Sequence, residues 1–143
     1  MDNYIKLSVK SDSINEKLSR QVIASFMLTL DPTIEEICDV KTAVSEAVTN
    51  AVVHGYENLS GTVNLTAEIT GRELYIEIED YGRGIEDVER AREPLYTSQP
   101  EKERSGMGFT VMEAFMDYVD VISRPGLGTK VIMKKTIGAV HEV

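Results

Sequence analysis

Apolar and polar residues alternate along several short stretches of the chain, which is the pattern of strands with one buried face. Residues 5–9 form the first such stretch and predict a first strand. Four further stretches show the same alternation and form two pairs: residues 63–69 with residues 74–78, and residues 118–123 with residues 129–134. Each pair is separated by a short stretch that contains glycine, and the sequence therefore predicts two β-hairpins.

A four-residue repeat of apolar side chains predicts two helices between the first strand and the first hairpin. Ser13 and Glu16 have the spacing of a capping box, and the apolar file of the helix they start is expected to face the core. Thr33 and Glu36 have the same spacing at the start of the second helix, which should end at Gly55 in a left-handed conformation. The apolar file of the first helix consists of Ile14, Leu18, Val22, Phe26 and Leu30.

The order of these elements predicts an α/β fold. A further helix is expected between residues 108 and 117, in front of the second hairpin. One mixed, mostly antiparallel sheet with the helices on one face, an α+β sandwich, accommodates this order. Because 42% of the 143 residues are apolar, the chain can build one core, and we expect residues 1–143 to form a single domain.

Charge and composition exclude several classes of function. The formal net charge of −9 argues against a broad nucleic-acid interface, which usually requires a basic face. The single cysteine, Cys38, excludes an intrachain disulfide framework, and with two histidines a zinc site would need carboxylate ligands. The sequence has no run of 18 apolar residues and no N-terminal signal segment, so we expect a cytoplasmic protein without a membrane span.

The first group of residues with chemical potential is a polar file on the second predicted helix. Glu46, Asn50 and His54 are four residues apart, and each step of four advances about 40° around a helix. Asparagine is a poor residue in the middle of a helix because its side chain competes for backbone hydrogen bonds. Asn50 therefore points to a task, such as offering its amide oxygen to a hard cation. His54 is expected to be a structural residue that closes the helix end.

The second group follows the strand that ends at Asp80. A carboxylate at a strand end can accept a hydrogen bond from an exocyclic amine, and Gly82 and Gly84 permit a ligand to approach the backbone closely. The third group, Arg104 to Gly108, enters a helix. Glycines at a helix N-terminus expose N–H groups to an anion, and an arginine suits phosphate oxygens. The sequence contains neither a P-loop nor a Rossmann fingerprint.

The order of the three groups resembles the GHKL ATPase superfamily, over about residues 33–134. Extended to residue 1, the chain is similar to the anti-sigma-factor serine kinases, and most closely to their sporulation branch. The segments VSEAVTNAVVHGY, REPLYTSQPEKERSGMGF and MEAFMD carry this finer resemblance. The resemblance implies the Bergerat ATP-binding fold, with ATP or ADP and Mg²⁺ as ligands.

The resemblance also implies a role for each residue of the three groups. Glu46 would be the catalytic carboxylate that takes the proton of a serine hydroxyl, and Arg104 would assist near the γ-phosphate. Asn50 would coordinate Mg²⁺, and Asp80 would recognise the adenine amine. The remaining nucleotide-binding residues would be Gly82, Gly84, Ser105, Gly106, Gly108 and Thr129.

In such proteins a homodimer holds a sigma factor away from RNA polymerase and phosphorylates a serine of an anti-anti-sigma antagonist, and ADP or ATP selects the partner. The resemblance implies that residues 1–31 serve dimer and partner contacts, with Arg20 touching a partner. Direct contact with nucleic acid is not expected. Three alternatives remain open: a general stress-response anti-sigma kinase, a free-standing histidine-kinase-type ATPase domain, and a binding module that uses ATP only as a conformational ligand.

Overall fold

The computed structural model describes residues 1–57, 59–93 and 108–138, and their centre is a sheet of five strands. The strands are β1 (Asn3–Lys10), β2 (Thr62–Thr70), β3 (Glu73–Asp80), β4 (Tyr118–Arg124) and β5 (Gly128–Thr136). They lie side by side in the order β1, β2, β3, β5, β4, and all four neighbouring pairs are antiparallel. Both predicted hairpins are confirmed, as β2–β3 and β4–β5.

The helices form one layer on this sheet. They are α1 (Ile14–Phe26), α2 (Ile34–Asn50), α3 (Val88–Ala91) and α4 (Gly108–Phe115). A 3₁₀ turn (Met27–Leu30) follows α1, and a π-helical turn (Ala51–Gly55) continues α2. Helix α2 contacts both α1 and α4, while α1 contacts β1 and β2 and α4 contacts β4. The predicted fold class is confirmed.

The core lies between α2 and the inner face of the sheet. Val40, Val44 and Val48 follow one another along α2 at helical spacing and are fully buried. They pack in one cluster with the inward residues of the sheet, such as Leu65 and Ile76. Complete burial of each of these side chains contributes about 1.5–3 kcal/mol, so this layer fixes α2 on the sheet. No helix within the described ranges combines the length and apolar character needed to cross a membrane.

The predicted core face of the first helix is wrong at its N-terminal end, whereas Phe26 packs against the core and Leu30 is buried, as predicted. Ile14 is 72% exposed and Leu18 is 48% exposed, whereas the buried residues of the helix are Ser19, Ile23 and Ala24. The reason is rotational drift: a file with four-residue steps moves about 40° around the helix at each step. Ile14 precedes the buried Ile23 by nine residues, which places it about 180° away on the opposite side of the helix.

The two predicted capping boxes have different outcomes. The box at Thr33 and Glu36 is confirmed, since each side chain accepts a hydrogen bond from the other residue's backbone N–H. The box at Ser13 is wrong, because Ser13 itself has a helical backbone and its side chain makes no cap hydrogen bond. Asp12 takes over this task, and its Oδ1 accepts from the Ile14 N–H at 3.0 Å. The first helix therefore has its side-chain cap one residue earlier than predicted.

We expect the replacement Thr33→Ala to lower the free energy of unfolding by about 1 kcal/mol, because the first turn of α2 loses a hydrogen-bond acceptor. Ser13→Ala, which removes a hydroxyl that caps nothing, should change it by less than about 0.5 kcal/mol. Urea unfolding of the two variants beside the parent protein measures both values. Equal losses in the two variants would contradict the assignment of the caps.

Candidate functional site

A cavity of about 530 Å³ lies between the end of α2 and the end of β3. Its helical wall consists of residues from the last turn of α2 and from the π-helical turn, and its sheet wall comes from β3 and β5. Residues 83–87, α3, Pro125 and the first residues of α4 complete the lining. The volume lies within the range of about 300–1,000 Å³ that is typical of small-molecule sites.

The structure brings five of the predicted site residues to this cavity. They are Asn50, Asp80, Gly84, Gly108 and Thr129. His54, which was expected to be a structural residue at the helix end, also lines it.

Among the described residues, Glu46, Gly82 and Arg20 do not line the cavity. Glu46 lies one turn before Asn50 on α2, is partly buried, and does not belong to the lining residues. Arg20 lies on α1, where it forms an ion pair of 3.5 Å with Glu16. Arg104, Ser105 and Gly106 lie outside the described residues.

The π-helical turn that continues α2 packs directly against the end of β3 and the loop that follows it. A Cβ atom on Gly55 would lie 2.7 Å from Cγ of Asp80, and a Cβ on Gly82 would collide with the Gly55 carbonyl oxygen. Gly55 is not among the residues with positive φ, so its predicted role as a left-handed helix terminator is wrong. Glycine is needed there because the carboxylate of Asp80 occupies the space of a side chain.

Asp80 is the buried charged group of the cavity. Asp80 is 5% exposed, and burial raises the pKa of its carboxyl to about 6. Hydrogen bonds donated by the backbone N–H groups of Gly82 and Thr129 oppose this shift, while the nearby charge of Glu79 adds to it. The Gly82 hydrogen bond spans 2.9 Å to Oδ1. The carboxylate is thus held in place by two donors and lies next to a cavity into which a third donor can be brought.

A hydroxyl network supports the sheet side of the cavity. The Ser123 hydroxyl lies 2.8 Å from the Thr129 hydroxyl and 3.0 Å from the Gly128 carbonyl oxygen, to which it donates. It also accepts a hydrogen bond of 2.7 Å from the Ile85 N–H. Ser123 therefore connects the hairpin β4–β5 to the glycine loop. No sequence signal identifies it, because a serine in a strand is ordinary until its neighbours are known.

The loop after β3 is fixed to the helix end by Arg83. Its backbone N–H donates to the Gly55 carbonyl at 2.8 Å, and its Nε donates to the His54 carbonyl at 2.8 Å. The Arg83 carbonyl accepts from Gly126 in the turn between β4 and β5, at 2.6 Å. One residue thus connects three elements around the cavity.

Three apolar residues that line the cavity were not predicted from the sequence. Ile78 and Val131 line the sheet wall of the cavity, and Phe109 lines it from the first turn of α4. Ile78 could have been found, because it precedes Asp80 by two residues and successive inward residues of a strand share one face. Together with the Asp80 carboxylate, these side chains suit a flat apolar ring that carries one polar donor.

The side chains available as metal ligands at the cavity fit a magnesium ion that is also coordinated by substrate phosphates. Within residues 1–57, 59–93 and 108–138, no group of three or more His, Cys, Asp or Glu side chains could hold a metal ion. Mg²⁺ commonly takes only one or two protein ligands and completes its six-fold shell with substrate phosphates and water. The single amide of Asn50 at the cavity matches this arrangement.

Comparison with known proteins yields one family and several full-length relatives. A model of the histidine kinase-like ATPase domain matches residues 10–135. The anti-sigma F factor of Clostridium acetobutylicum is 56% identical over 142 residues, which are 99% of this chain and 99% of that protein. The anti-sigma F factor of Clostridium perfringens is 57% identical over 136 residues, or 94% of this chain and 97% of that protein.

Two solved structures share the fold. One contains the RsbU and RsbW domains of a Mycobacterium tuberculosis protein, with a TM-score of 0.68, 18% identity, and coverage of 94% of this chain and 32% of that chain. The other is the catalytic domain of the histidine kinase ThkA, with a TM-score of 0.59, 12% identity, and coverage of 94% and 96%. At these identities the likeness concerns the fold.

We expect the buried Asp80 carboxylate to make the stability of the ligand-free protein depend on pH. Its pKa in the folded state lies above the ordinary value of 3.8, so the folded chain binds the proton more tightly and loses stability as pH rises from about 4 to 6. The full loss is about 3 kcal/mol, of which roughly half falls between pH 5 and 7.

In the Asp80→Asn variant, the side chain at position 80 does not titrate in this pH range. The difference in the free energy of unfolding between this variant and the parent should therefore shift in favour of the variant as pH rises, by about 1–2 kcal/mol from pH 5 to 7. Urea unfolding at a series of pH values gives both curves, and curves that stay parallel would disprove the raised pKa.

Proposed function

The chain belongs to the histidine kinase-like ATPase domain family, and on this premise we propose that it is an anti-sigma factor with ATP-dependent protein serine kinase activity. It binds and sequesters a sporulation sigma factor, and it phosphorylates and inactivates the anti-anti-sigma antagonist. The observation that carries this proposal is the cavity that joins Asp80 and Asn50, in a chain at least 55% identical to anti-sigma F factors over nearly their full length.

The nucleobase is proposed to bind at Asp80. The ionised carboxylate already accepts two backbone N–H groups, and the 6-amino group of adenine supplies one more donor for its remaining lone pairs. Guanine presents a carbonyl oxygen at the equivalent position, which the carboxylate repels. The apolar side chains Ile78 and Val131 line the same cavity and offer contact to the ring. The buried charge of Asp80 would therefore make the cavity select adenine over guanine.

The phosphates are proposed to lie toward Asn50 and the start of α4. Gly108 is the first residue of α4 and lines the cavity, so the free N–H groups of that helix end can meet phosphate oxygens. Ser105 and Gly106 precede this helix end and are assigned to the same task. Mg²⁺, held by the Asn50 amide oxygen, would supply positive charge to the triphosphate. The local charges thereby offset the net charge of −9 that the whole chain carries.

Phosphoryl transfer needs positioning and charge neutralisation more than covalent catalysis. In the proposed step, the serine oxygen of the antagonist bonds to the γ-phosphorus, and the bond from this phosphorus to the bridging oxygen of ADP breaks. The serine proton moves to the carboxylate of Glu46, one helical turn from Asn50 on α2. Arg104 is assigned to the charge that develops on the γ-phosphate.

Partner contacts are proposed for residues 1–31. Helix α1 presents Ile14 and Leu18 to the surface, and exposed apolar side chains in a row favour protein contacts. Arg20 lies on the same helix, where its guanidinium forms an ion pair with Glu16, and we assign it to partner contact as well. We further propose that the protein works as a homodimer in the cytoplasm, where sigma factors act, and that ATP and ADP favour different partners.

We expect Glu46→Gln to abolish phosphate transfer, because the amide cannot take the serine proton, while ATP affinity changes less than about threefold. Glu35→Gln is the matched control, since Glu35 is an exposed glutamate on the same helix and should leave transfer unchanged. The assay combines the full chain with ATP, Mg²⁺ and candidate antagonist proteins, and maps the phosphorylated residue.

Each outcome of this assay has a definite meaning. Acid-stable phosphoserine supports the serine kinase, and acid-labile phosphohistidine supports the histidine-kinase alternative. ADP formation that no antagonist stimulates supports the binding module. Transfer by Glu46→Gln at the parental rate would refute the assignment of the base.

We expect the parent protein to bind ATP at least about tenfold more tightly than GTP, and Asp80→Asn to lose most of this preference. An amide presents only one acceptor oxygen, and its NH₂ group opposes the backbone donors that the carboxylate accepts. ATP affinity of the parent should also fall as pH drops below about 6, where Asp80 becomes protonated. Calorimetric titration with both nucleotides at pH 5.5 and 7.5 measures these effects, and equal affinities for ATP and GTP would place the base elsewhere.

A further inference from the structure

Ser123 lies at one end of a row of three polar side chains that crosses the sheet. In the strand register, Asp80 of β3 is paired with Thr129 of β5, and Thr129 is paired with Ser123 of β4. Side chains of directly paired residues lie on the same face of a sheet, with Cβ atoms about 5 Å apart. Asp80 and Thr129 line the cavity, whereas Ser123 does not. Ser123 therefore lies behind Thr129, on the side away from Asp80.

The hydroxyl oxygen of Ser123 is within hydrogen-bond distance of three groups. The Ile85 nitrogen lies 2.7 Å away, the Thr129 hydroxyl 2.8 Å and the Gly128 carbonyl oxygen 3.0 Å. A hydroxyl has one proton to donate and two lone pairs that accept. A backbone N–H can only donate and a carbonyl can only accept. The Ser123 proton therefore points to Gly128, and one lone pair of Ser123 accepts from Ile85.

These two partners decide the direction of the third hydrogen bond. Because the Ser123 proton is used on Gly128, Thr129 must donate the bond between the two hydroxyls. All four tetrahedral positions of the Ser123 oxygen are then filled. The opposite direction would withdraw this donor from the carbonyl oxygen of Gly128, a buried residue, and buried acceptors without donors are costly.

The glycine loop holds the Ile85 N–H at this position. Gly84 has a φ of 75°, and a Cβ atom on it would collide with the carbonyl oxygen of Arg124. The loop therefore packs directly on the end of β4, and the next residue brings its N–H to Ser123. The Arg83 carbonyl, which accepts from Gly126 at 2.6 Å, fastens the same loop to the β4–β5 turn. The fold itself thus fills this acceptor position of Ser123.

We propose that Ser123 is a positioning residue that sets base specificity, because it fixes the Thr129 hydroxyl as an acceptor toward the cavity. This inference rests on the proposed nucleotide site and adds a second recognition group to it. The Thr129 proton is directed at Ser123, so Thr129 can offer the cavity only lone pairs. An ionised Asp80 carboxylate also only accepts. The sheet wall thus presents two acceptors side by side.

Two adjacent acceptors select a ligand that brings two donors. The 6-amino group of adenine carries two hydrogens, so one can bond to Asp80 and the other to Thr129. A base with a carbonyl oxygen at this position, such as hypoxanthine, brings an acceptor against both groups. A rotatable hydroxyl would weaken the discrimination, since it could turn its proton toward that oxygen. Ser123 removes this freedom and thereby disfavours the 6-carbonyl bases.

Ser123→Ala tests the direction of this hydrogen bond in the full chain. Thr129 can then turn its proton into the cavity, so we expect inosine triphosphate (ITP) to bind at least about fivefold more tightly than to the parent. ATP should bind no more tightly than to the parent. Calorimetric titration at pH 7.5, where Asp80 is ionised, measures both affinities. Ser8→Ala, which removes another strand hydroxyl with a hydrogen bond, to Asn64, is the matched control and should leave the ATP-to-ITP affinity ratio within about twofold.

A purely structural role of Ser123 predicts a different result. Loss of the acceptor for Ile85 would loosen the glycine loop, which would weaken ATP and ITP binding by the same factor and leave the ratio unchanged. Only a reoriented hydroxyl makes ITP bind more tightly to the variant than to the parent. Ser123→Thr, which keeps a hydroxyl at this position, should restore the parental ratio to within about threefold.

Thr129→Val provides a second test that does not depend on the folding of Ser123→Ala. Valine has nearly the shape of threonine, and the Ser123 hydrogen bonds to Ile85 and Gly128 remain possible. We expect the ratio to fall at least about threefold, chiefly through weaker ATP binding, because one adenine hydrogen loses its acceptor. Adding Ser123→Ala to Thr129→Val should change the ratio less than about twofold, since Ser123 acts through Thr129.

The outcomes separate this inference from the nucleotide site itself. A parent protein that binds neither ATP nor ITP overturns the site and the inference together. A parent that prefers ATP, with a ratio that neither Ser123→Ala nor Thr129→Val changes, overturns only the role of Ser123. A ratio that Ser123→Ala lowers equally with and without the Thr129 hydroxyl overturns that role as well.

Discussion

The close approach between the end of α2 and the end of β3 is the constraint on which the site depends. Gly55 leaves room for the Asp80 carboxylate, and its carbonyl accepts the Arg83 N–H at 2.8 Å. Gly82 must lack a side chain for the same contact. Because these backbones touch, Asn50 on the helix and Asp80 on the strand line one cavity. Any larger residue at the contact would separate the two groups that the proposed nucleotide must reach together.

Elements that are determined by residues close together in the sequence could be predicted from it. Alternation located both hairpins, and the reciprocal hydrogen bonds of Thr33 and Glu36 follow directly from their spacing. The glycine loop after β3 was found because two glycines follow a strand that ends in aspartate. The functional meaning of these positions came from a family resemblance over three separated motifs, since each motif alone is compatible with an ordinary turn or helix end.

Features that depend on distant parts of the chain could not be predicted. The file from Ile14 to Leu30 satisfied a four-residue repeat, but the buried residues within α1 are Ser19, Ile23 and Ala24. The requirement for glycine at residue 55 comes from Asp80, which lies 25 positions away in sequence. Ser123 joins three segments through one hydroxyl, and nothing in its local sequence distinguishes it. Tertiary contacts decide such positions, whereas local propensities do not.

The buried carboxylate of Asp80 also links the occupancy of the cavity to the lifetime of the protein. An ionised group with a raised pKa lowers the stability of the empty fold, and a ligand that donates a hydrogen bond to it returns part of that free energy. The empty form therefore opens more often and is exposed longer to proteases than the occupied form. The abundance of such a protein would follow the supply of its ligand without any dedicated degradation signal.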